Sequence, residues 1–131
     1  MTDRLASCTC GKLTARTRGE PIRISVCHCL ACQRRTGSVF AAQARFPLEA
    51  VILDGPSREF ARTGDEGTTA RFHFCPDCGD TVYDRMDAVP DAVAIPVGAF
   101  ADPKFPPPRV EVFESRRHPW VELLGDMERY D

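Results

Sequence analysis

The sequence FCPDCG at residues 74–79 decides the fold, because it predicts a bound metal ion around which the chain must close. Two cysteines separated by two residues can turn both sulfurs onto one ion. Pro76 stiffens the loop between them, and Gly79 permits the tight backbone that follows. A four-cysteine zinc site needs a second pair of ligands from elsewhere. CTCG at residues 8–11 can supply that pair, because residues i and i+2 of a strand point to the same face.

A second group of cysteines lies in CHCLACQRRTGS at residues 27–38. Cys27, Cys29 and Cys32 can face one ion through a strand end and the turn that follows it. Three protein ligands leave the fourth tetrahedral position of zinc open, which is typical of a reactive site. Three thiolates also give such a complex a net negative charge, so a small-molecule thiol suits the open position better than hydroxide does. Spacing alone leaves open an exchange of cysteines between the two sites.

Other roles for these residues fit the sequence less well. Cysteines clustered at ligand spacing are rarely inert packing groups. A redox dithiol at Cys75 and Cys78 would normally open a helix beside a βαβ unit, which the pattern lacks. His28 lies between two cysteines that share a strand face, so its side chain should point away from their ion. His73 has the parity of Cys75, but we interpret it as a partly buried strand histidine.

The composition is that of an ordinary soluble globular domain. The chain has 131 residues, enough to bury a core without disulfide bonds, and its net charge is −2. That charge argues against general nucleic-acid binding. The sequence has no apolar run of signal-peptide length at its amino terminus and nothing close to the ~20 apolar residues of a membrane span. We therefore expect a cytoplasmic protein whose seven cysteines, an odd number, stay reduced as ligands.

Short runs rich in β-branched and aromatic residues, separated by Gly, Pro or Asp, predict strands along most of the chain. We expect one mainly antiparallel β domain over residues 1–131. A short helix is predicted over residues 30–35, and a second candidate helix over 121–124. The proline-rich stretch 103–108 should lie across the domain, because the residues after it are too few to fold alone. The predicted strands are 12–18, 22–26, 38–46, 50–53, 58–62, 69–74, 81–85, 92–97 and 110–114.

Together, the three cysteine segments and HPW at residues 118–120 resemble the glutathione-dependent formaldehyde-activating enzyme family, which includes centromere protein V. The resemblance implies a mainly β domain of coiled antiparallel sheets built around zinc, with a fold related to Rab-exchange zinc proteins and methionine sulfoxide reductase B. It implies two zinc ions per chain. The first, structural ion would be bound by Cys8, Cys10, Cys75 and Cys78, and the second, catalytic ion by Cys27, Cys29 and Cys32.

The resemblance also implies a carbon–sulfur lyase similar to S-(hydroxymethyl)glutathione synthase, which adds glutathione to formaldehyde. Glutathione carries two carboxylates, and we expect Arg34 and Arg35 to bind them because they follow Cys32 closely, ahead of Arg116 and Arg117. The alternative is a non-catalytic module that binds zinc, a thiol or a protein partner. Sulfoxide reduction ranks last, because it needs a free cysteine and zinc would occupy all seven. No nucleic acid or membrane is expected as a partner, and no pattern demands a homo-oligomer.

Overall fold

Strands dominate residues 2–131, which the computed structural model describes. Their one α-helix, α1, spans Leu30–Thr36, and short 3-10 helices lie at Leu48–Ala50, Val97–Phe100 and Glu114–Arg116. The mainly β fold predicted from the sequence is confirmed. The strands are β1 (Asp3–Ser7), β2 (Thr14–Arg18), β3 (Arg23–Cys27), β4 (Ala41–Pro47), β5 (Val51–Asp54), β6 (Arg58–Thr63), β7 (Thr69–Phe74), β8 (Thr81–Met86), β9 (Ala92–Pro96), β10 (Val110–Val112) and β11 (Glu128–Arg129).

The strands form two sheets. The smaller has the order β1-β2-β5, and the larger has the order β11-β10-β3-β4-β9-β8-β7-β6. Neighbouring strands run antiparallel, as expected, except that β10 runs parallel to both β3 and β11. These parallel pairs bring the carboxy-terminal segment beside β3, the strand that ends at Cys27.

The core lies between the two sheets. Along β2 the buried Ala15 and Thr17 alternate with the exposed Arg16 and Arg18, as a strand with one covered face requires. The proline-rich stretch lies across this core, as expected. Its Phe105 is buried and stacks on Phe100 with ring centroids 4.7 Å apart. The largest apolar residues of the core cluster are Leu13, Ile24, Phe46, Val82, Val93, Ile95, Phe100 and Phe105.

The predicted secondary structure differs from the structure in two respects. Strands β1 and β11 were absent from the sequence prediction, because their pairing with β2 and β10 depends on tertiary contacts rather than on local pattern. The helix predicted over residues 121–124 is wrong. A single turn closes there instead, in which the Val121 N–H donates to the His118 carbonyl oxygen over 3.0 Å. The five residues between Pro119 and Gly125 are too few to offset the cost of helix nucleation.

No helix in the part of the chain from residue 2 onward combines the length and the apolar character that crossing a membrane would require.

Candidate metal centres and the adjoining cavity

The four cysteines at the two outer positions of the sequence converge on one point. The sulfurs of Cys8, Cys10, Cys75 and Cys78 all lie within 4.8 Å of one another. The Cys10 Sγ is 3.6 Å from that of Cys8 and 3.5 Å from that of Cys75. Zinc–sulfur bonds of about 2.3 Å in a tetrahedron place the sulfurs about 3.8 Å apart, so this donor set fits a zinc ion.

The backbone around Cys8 and Cys10 differs from the expected strand. Both residues follow β1 in a turn, which closes where the Gly11 N–H donates to the Cys8 carbonyl oxygen over 3.1 Å. Sharing a strand face is therefore the wrong reason for their convergence. The turn brings the two sulfurs together, and Gly11 permits it by adopting a φ of 82°.

The CPDC loop presents its sulfurs through backbone hydrogen bonds. The Gly79 N–H donates to the Cys75 carbonyl oxygen over 2.8 Å, and the Asp77 N–H donates to the Cys75 sulfur over 3.4 Å. The N–H groups of Cys78 and Asp77 lower the pKa of the Cys75 thiol, although burial opposes them. These donors favour the thiolate form that a metal requires.

Polar and charged side chains connect the two loops that carry these four cysteines. The Asp80 carboxylate accepts hydrogen bonds from the Thr9 N–H (2.7 Å) and hydroxyl (2.5 Å). The Lys12 ammonium lies 2.6 Å from the Asp77 carboxylate. Both contacts join the turn after β1 to the CPDC loop, more than sixty positions away in sequence. They therefore hold the two cysteine pairs next to each other.

The remaining three cysteines form a separate cluster. Cys27 ends β3, Cys29 caps the amino end of α1, and Cys32 lies in the first turn of that helix. Their sulfurs lie within 4.8 Å of one another, and all three residues are half-buried. The hydrogen bond from the Cys27 thiol lowers the pKa of Cys32 to about 5, with help from Cys29 and Arg35 and against burial. Three sulfurs, one of them readily ionised, fit a metal ion that keeps an open position.

A cavity of about 230 Å³ opens beside this triplet, and Cys27 and Cys32 form part of its wall. Arginines from several elements also line it: Arg23, Arg35, Arg45 and Arg62. A second groove, of about 670 Å³, is also lined by Arg35 and by Cys8, but by no cysteine of the triplet.

Asp84 supplies the carboxyl group in the wall of the smaller cavity. It is 3% exposed and accepts a hydrogen bond from the Gln43 Nε2 over 2.5 Å. Burial raises the pKa of Asp84 to about 6, and the charge of Arg35 opposes that rise. The cavity therefore combines ionisable sulfur, four cations and one carboxyl group whose charge is costly.

The structure separates the two arginines predicted from the sequence. Arg35 lines the cavity, with its guanidinium 4.4 Å from the centre of the Phe72 ring. Arg34 is exposed and does not line the cavity. Neither Arg116 nor Arg117 lines it either.

Sequence reasoning missed the cavity residues that come from strands. Arg23, Arg45 and Asp84 lie on β3, β4 and β8, far from the cysteines in sequence. Arg23 and Arg45 alternate with apolar neighbours, which could have predicted a polar strand face, but not that this face adjoins the triplet.

Residues of the carboxy-terminal segment contact the residues that flank the triplet. His28 is fully buried, and its Nε2 lies 2.6 Å from the Glu111 carboxylate on β10, so it faces away from the cysteine cluster as predicted. Gln33 on α1 donates to the His28 carbonyl oxygen over 2.9 Å and lies 2.9 Å from the His118 Nε2. His73 stacks on Tyr83 at 4.5 Å, and it is a partly buried strand residue, as interpreted from the sequence.

Comparisons with known proteins identify a matching family and a similar fold. A family model described as the glutathione-dependent formaldehyde-activating enzyme matches residues 3–116. The fold is similar to a crystal structure of a protein from Rhodobacter sphaeroides, with a TM-score of 0.57 and 20% sequence identity. The similarity covers 76% of this chain and 92% of that one. No curated protein matches the sequence.

Proposed function

Because this chain belongs to the glutathione-dependent formaldehyde-activating enzyme family, we propose that it is a carbon–sulfur lyase that joins formaldehyde to a thiol of the glutathione type. The proposed site is an open zinc bound by Cys27, Cys29 and Cys32. The observation that carries this proposal is the position of the three sulfurs, which lie within 4.8 Å of one another, with Cys27 and Cys32 in the wall of a cavity rich in arginine.

The two cysteine clusters take different roles in this proposal. Cys8, Cys10, Cys75 and Cys78 fill all four positions of a tetrahedral zinc, so their ion would be structural. The triplet would leave one position of its ion free. A zinc ion bound there would hold the sulfur of the incoming thiol as a thiolate, the nucleophilic form.

The residues around the cavity support the addition by charge and position. In the reaction a sulfur–carbon bond forms and the π pair of the carbonyl moves to oxygen. That oxygen takes a proton from water, and the proton of the thiol passes to solvent. Arg35, which lowers the pKa of Cys32, would offset the negative charge that three cysteine sulfurs and a substrate sulfur bring together. A compartment that keeps thiols reduced, such as the cytoplasm, suits this chemistry.

The activity is tested by NMR exchange spectroscopy on glutathione mixed with labelled formaldehyde, with and without zinc-loaded protein. We expect the rates of formation and breakdown of the adduct to exceed the spontaneous rates, and the gain to disappear in Cys32→Ser. Arg58→Gln, on the exposed face of β6, serves as a folded control. If thiols bind but the protein leaves both rates at the spontaneous values, the protein is a thiol-binding module and not an enzyme.

The division of the cysteines is tested by measuring zinc content and folding together. A triple variant with Ser at positions 27, 29 and 32 should fold and retain about one zinc ion per chain. Cys75→Ser should lose much of its structure, because a structural zinc site contributes on the order of 10 kcal/mol in small metal-dependent folds. Retention of two ions by the triple variant would contradict the assignment.

A further inference from the structure

A single row of residues crosses the floor of the cavity at right angles to the strands. Phe72 pairs with Asp84, Asp84 with Ala94, Ala94 with Arg45, and Arg45 with Arg23. All five residues line the cavity. The row therefore has one carboxyl group and two guanidinium groups on the same face of the sheet, separated by a residue with only a methyl side chain.

Arg23 and Arg45 oppose each other directly across β3 and β4. Like charges in this arrangement repel each other and destabilise a sheet. Neither arginine has a carboxylate within salt-bridge distance among residues 2–131. Burial, together with the charge of Arg23, lowers the pKa of Arg45. The charge of Asp84 opposes this lowering, but one carboxyl group faces two guanidinium groups, so the row carries an excess of positive charge half-buried in a cavity wall.

The position of this pair relative to the sulfurs follows from strand geometry. Arg23, Ser25 and Cys27 lie on the same face of β3 and all line the cavity. At about 3.3 Å per residue, the Cα atoms of Arg23 and Cys27 are about 13 Å apart. A carboxylate attached directly to a cysteine lies close to its own sulfur. One carried on an added residue can extend toward the arginines while the sulfur stays at the triplet.

We propose that Arg23 and Arg45 form a carboxylate subsite, which selects thiols whose carboxylate is carried on a residue added to the cysteine. This inference rests on the proposed function for the position of the sulfur. Two guanidinium groups on opposite residues of neighbouring strands can share one carboxylate, each donating charge-assisted hydrogen bonds. Asp84 lies beyond Ala94 on the same row and accepts a hydrogen bond from Gln43. Its negative charge would repel a carboxylate and so marks the edge of the subsite.

The subsite is tested by calorimetric titration with four probes. Glutathione has both a thiol and carboxylates, its diethyl ester lacks the carboxylates, S-methylglutathione lacks the free thiol, and 2-mercaptoethanol has only the thiol. The variants are Arg23→Gln and Arg45→Gln, with Arg58→Gln as the matched control on an exposed strand face. Free energies of unfolding are measured on the same proteins.

In each subsite variant we expect glutathione and S-methylglutathione to bind about tenfold more weakly or worse, because each loses charge-assisted hydrogen bonds. Binding of the ester and of 2-mercaptoethanol should be the same in all proteins. Arg23→Gln should be at least as stable as the parent protein, since the substitution removes a repulsive pair. Arg45→Gln removes the same repulsion but also the attraction between Arg45 and Asp84, so it should be less stable than Arg23→Gln. A merely structural role for these arginines would instead lower stability and leave the preference for carboxylates unchanged.

The outcomes distinguish this inference from the proposed function. Unchanged affinity for S-methylglutathione in both variants would overturn the subsite, even if the protein catalysed addition to formaldehyde. Arginine-dependent binding of S-methylglutathione without catalysis would support the subsite and refute the enzyme. If the folded, zinc-loaded parent protein bound no glutathione derivative, the subsite would be overturned.

Discussion

Asp84 offers the sharpest test of the cavity electrostatics. Its carboxyl group is almost fully buried on β8, and burial raises its pKa from 3.8 to about 6. When a carboxyl group has a higher pKa in the folded state than in the unfolded state, its ionisation lowers the free energy of unfolding. The protein should therefore lose stability as pH rises through the interval from about 4 to 6, and it should not regain it above that interval. Asp84→Asn removes this loss.

The magnitude follows from the two pKa values. The difference between 6 and 3.8, at about 1.4 kcal/mol for each pH unit, gives about 3 kcal/mol at pH 7.5. The same linkage relation gives about 2 kcal/mol at pH 5 and less than about 1 kcal/mol at pH 4. The Asn variant should exceed the parent protein in stability by these amounts, because the amide oxygen of Asn can still accept the hydrogen bond from Gln43.

The assay is urea unfolding of both proteins from pH 4 to pH 7.5, at the same buffered zinc concentration. Titration of the zinc ligands is common to both proteins and cancels in the difference. Asp87→Asn is the control, because hydrogen bonds from Arg71 lower the pKa of that exposed carboxyl group and the sign of the effect should reverse. A difference that does not vary with pH, or an Asn variant less stable than the parent at pH 7.5, would refute this account of Asp84.

Two further predictions concern stability. Glu111→Ala should cost about 3–5 kcal/mol in urea unfolding, because it strips the buried His28 of its partner, whereas Glu59→Ala, at a half-exposed ion pair, should cost less than about 1 kcal/mol. Equal losses of stability in the two variants would contradict a stabilising contact between Glu111 and His28. Gly55→Ala should destabilise the protein more than Gly67→Ala does. Both glycines have positive φ, but only at Gly55 would a Cβ lie 1.8 Å from a backbone oxygen. If the two alanine variants were equally stable, the close approach at Gly55 would be wrong.

Much of the fold could be predicted because its strands carry local signals. Nine of the eleven strands overlap segments predicted from β-branched and aromatic runs, and α1 overlaps the helix predicted before Gly37. The two that were missed, β1 and β11, depend on partners. β1 is largely polar and pairs with β2 after a turn set by the four-cysteine cluster. The parallel alignment of β10 with β3 joins segments more than eighty residues apart, which no local pattern encodes.

The cysteine clusters were predictable for a different reason. Ligand spacing within CTCG, CHCLAC and CPDC is a property of a few consecutive residues, so the grouping survived even where the local geometry differed from the expected strand. The cavity was not predictable in this way. Nearness to Cys32 in sequence favoured Arg34 and Arg35 equally, but a helix turns successive side chains about 100° apart, and only Arg35 lines the cavity.

The cavity concentrates features that weaken the protein. Arg23 and Arg45 repel each other, and Asp84 is buried at a pKa that makes its charge costly. Several other charges in the fold form ion pairs: Arg4 with Glu20, Lys12 with Asp77, and Arg71 with Asp87. A chain that can pair its charges elsewhere has no structural need for an unpaired set at this position. Because both costs occur in one cavity, beside three sulfurs that can bind a metal, a ligand-binding role accounts for them better than packing does.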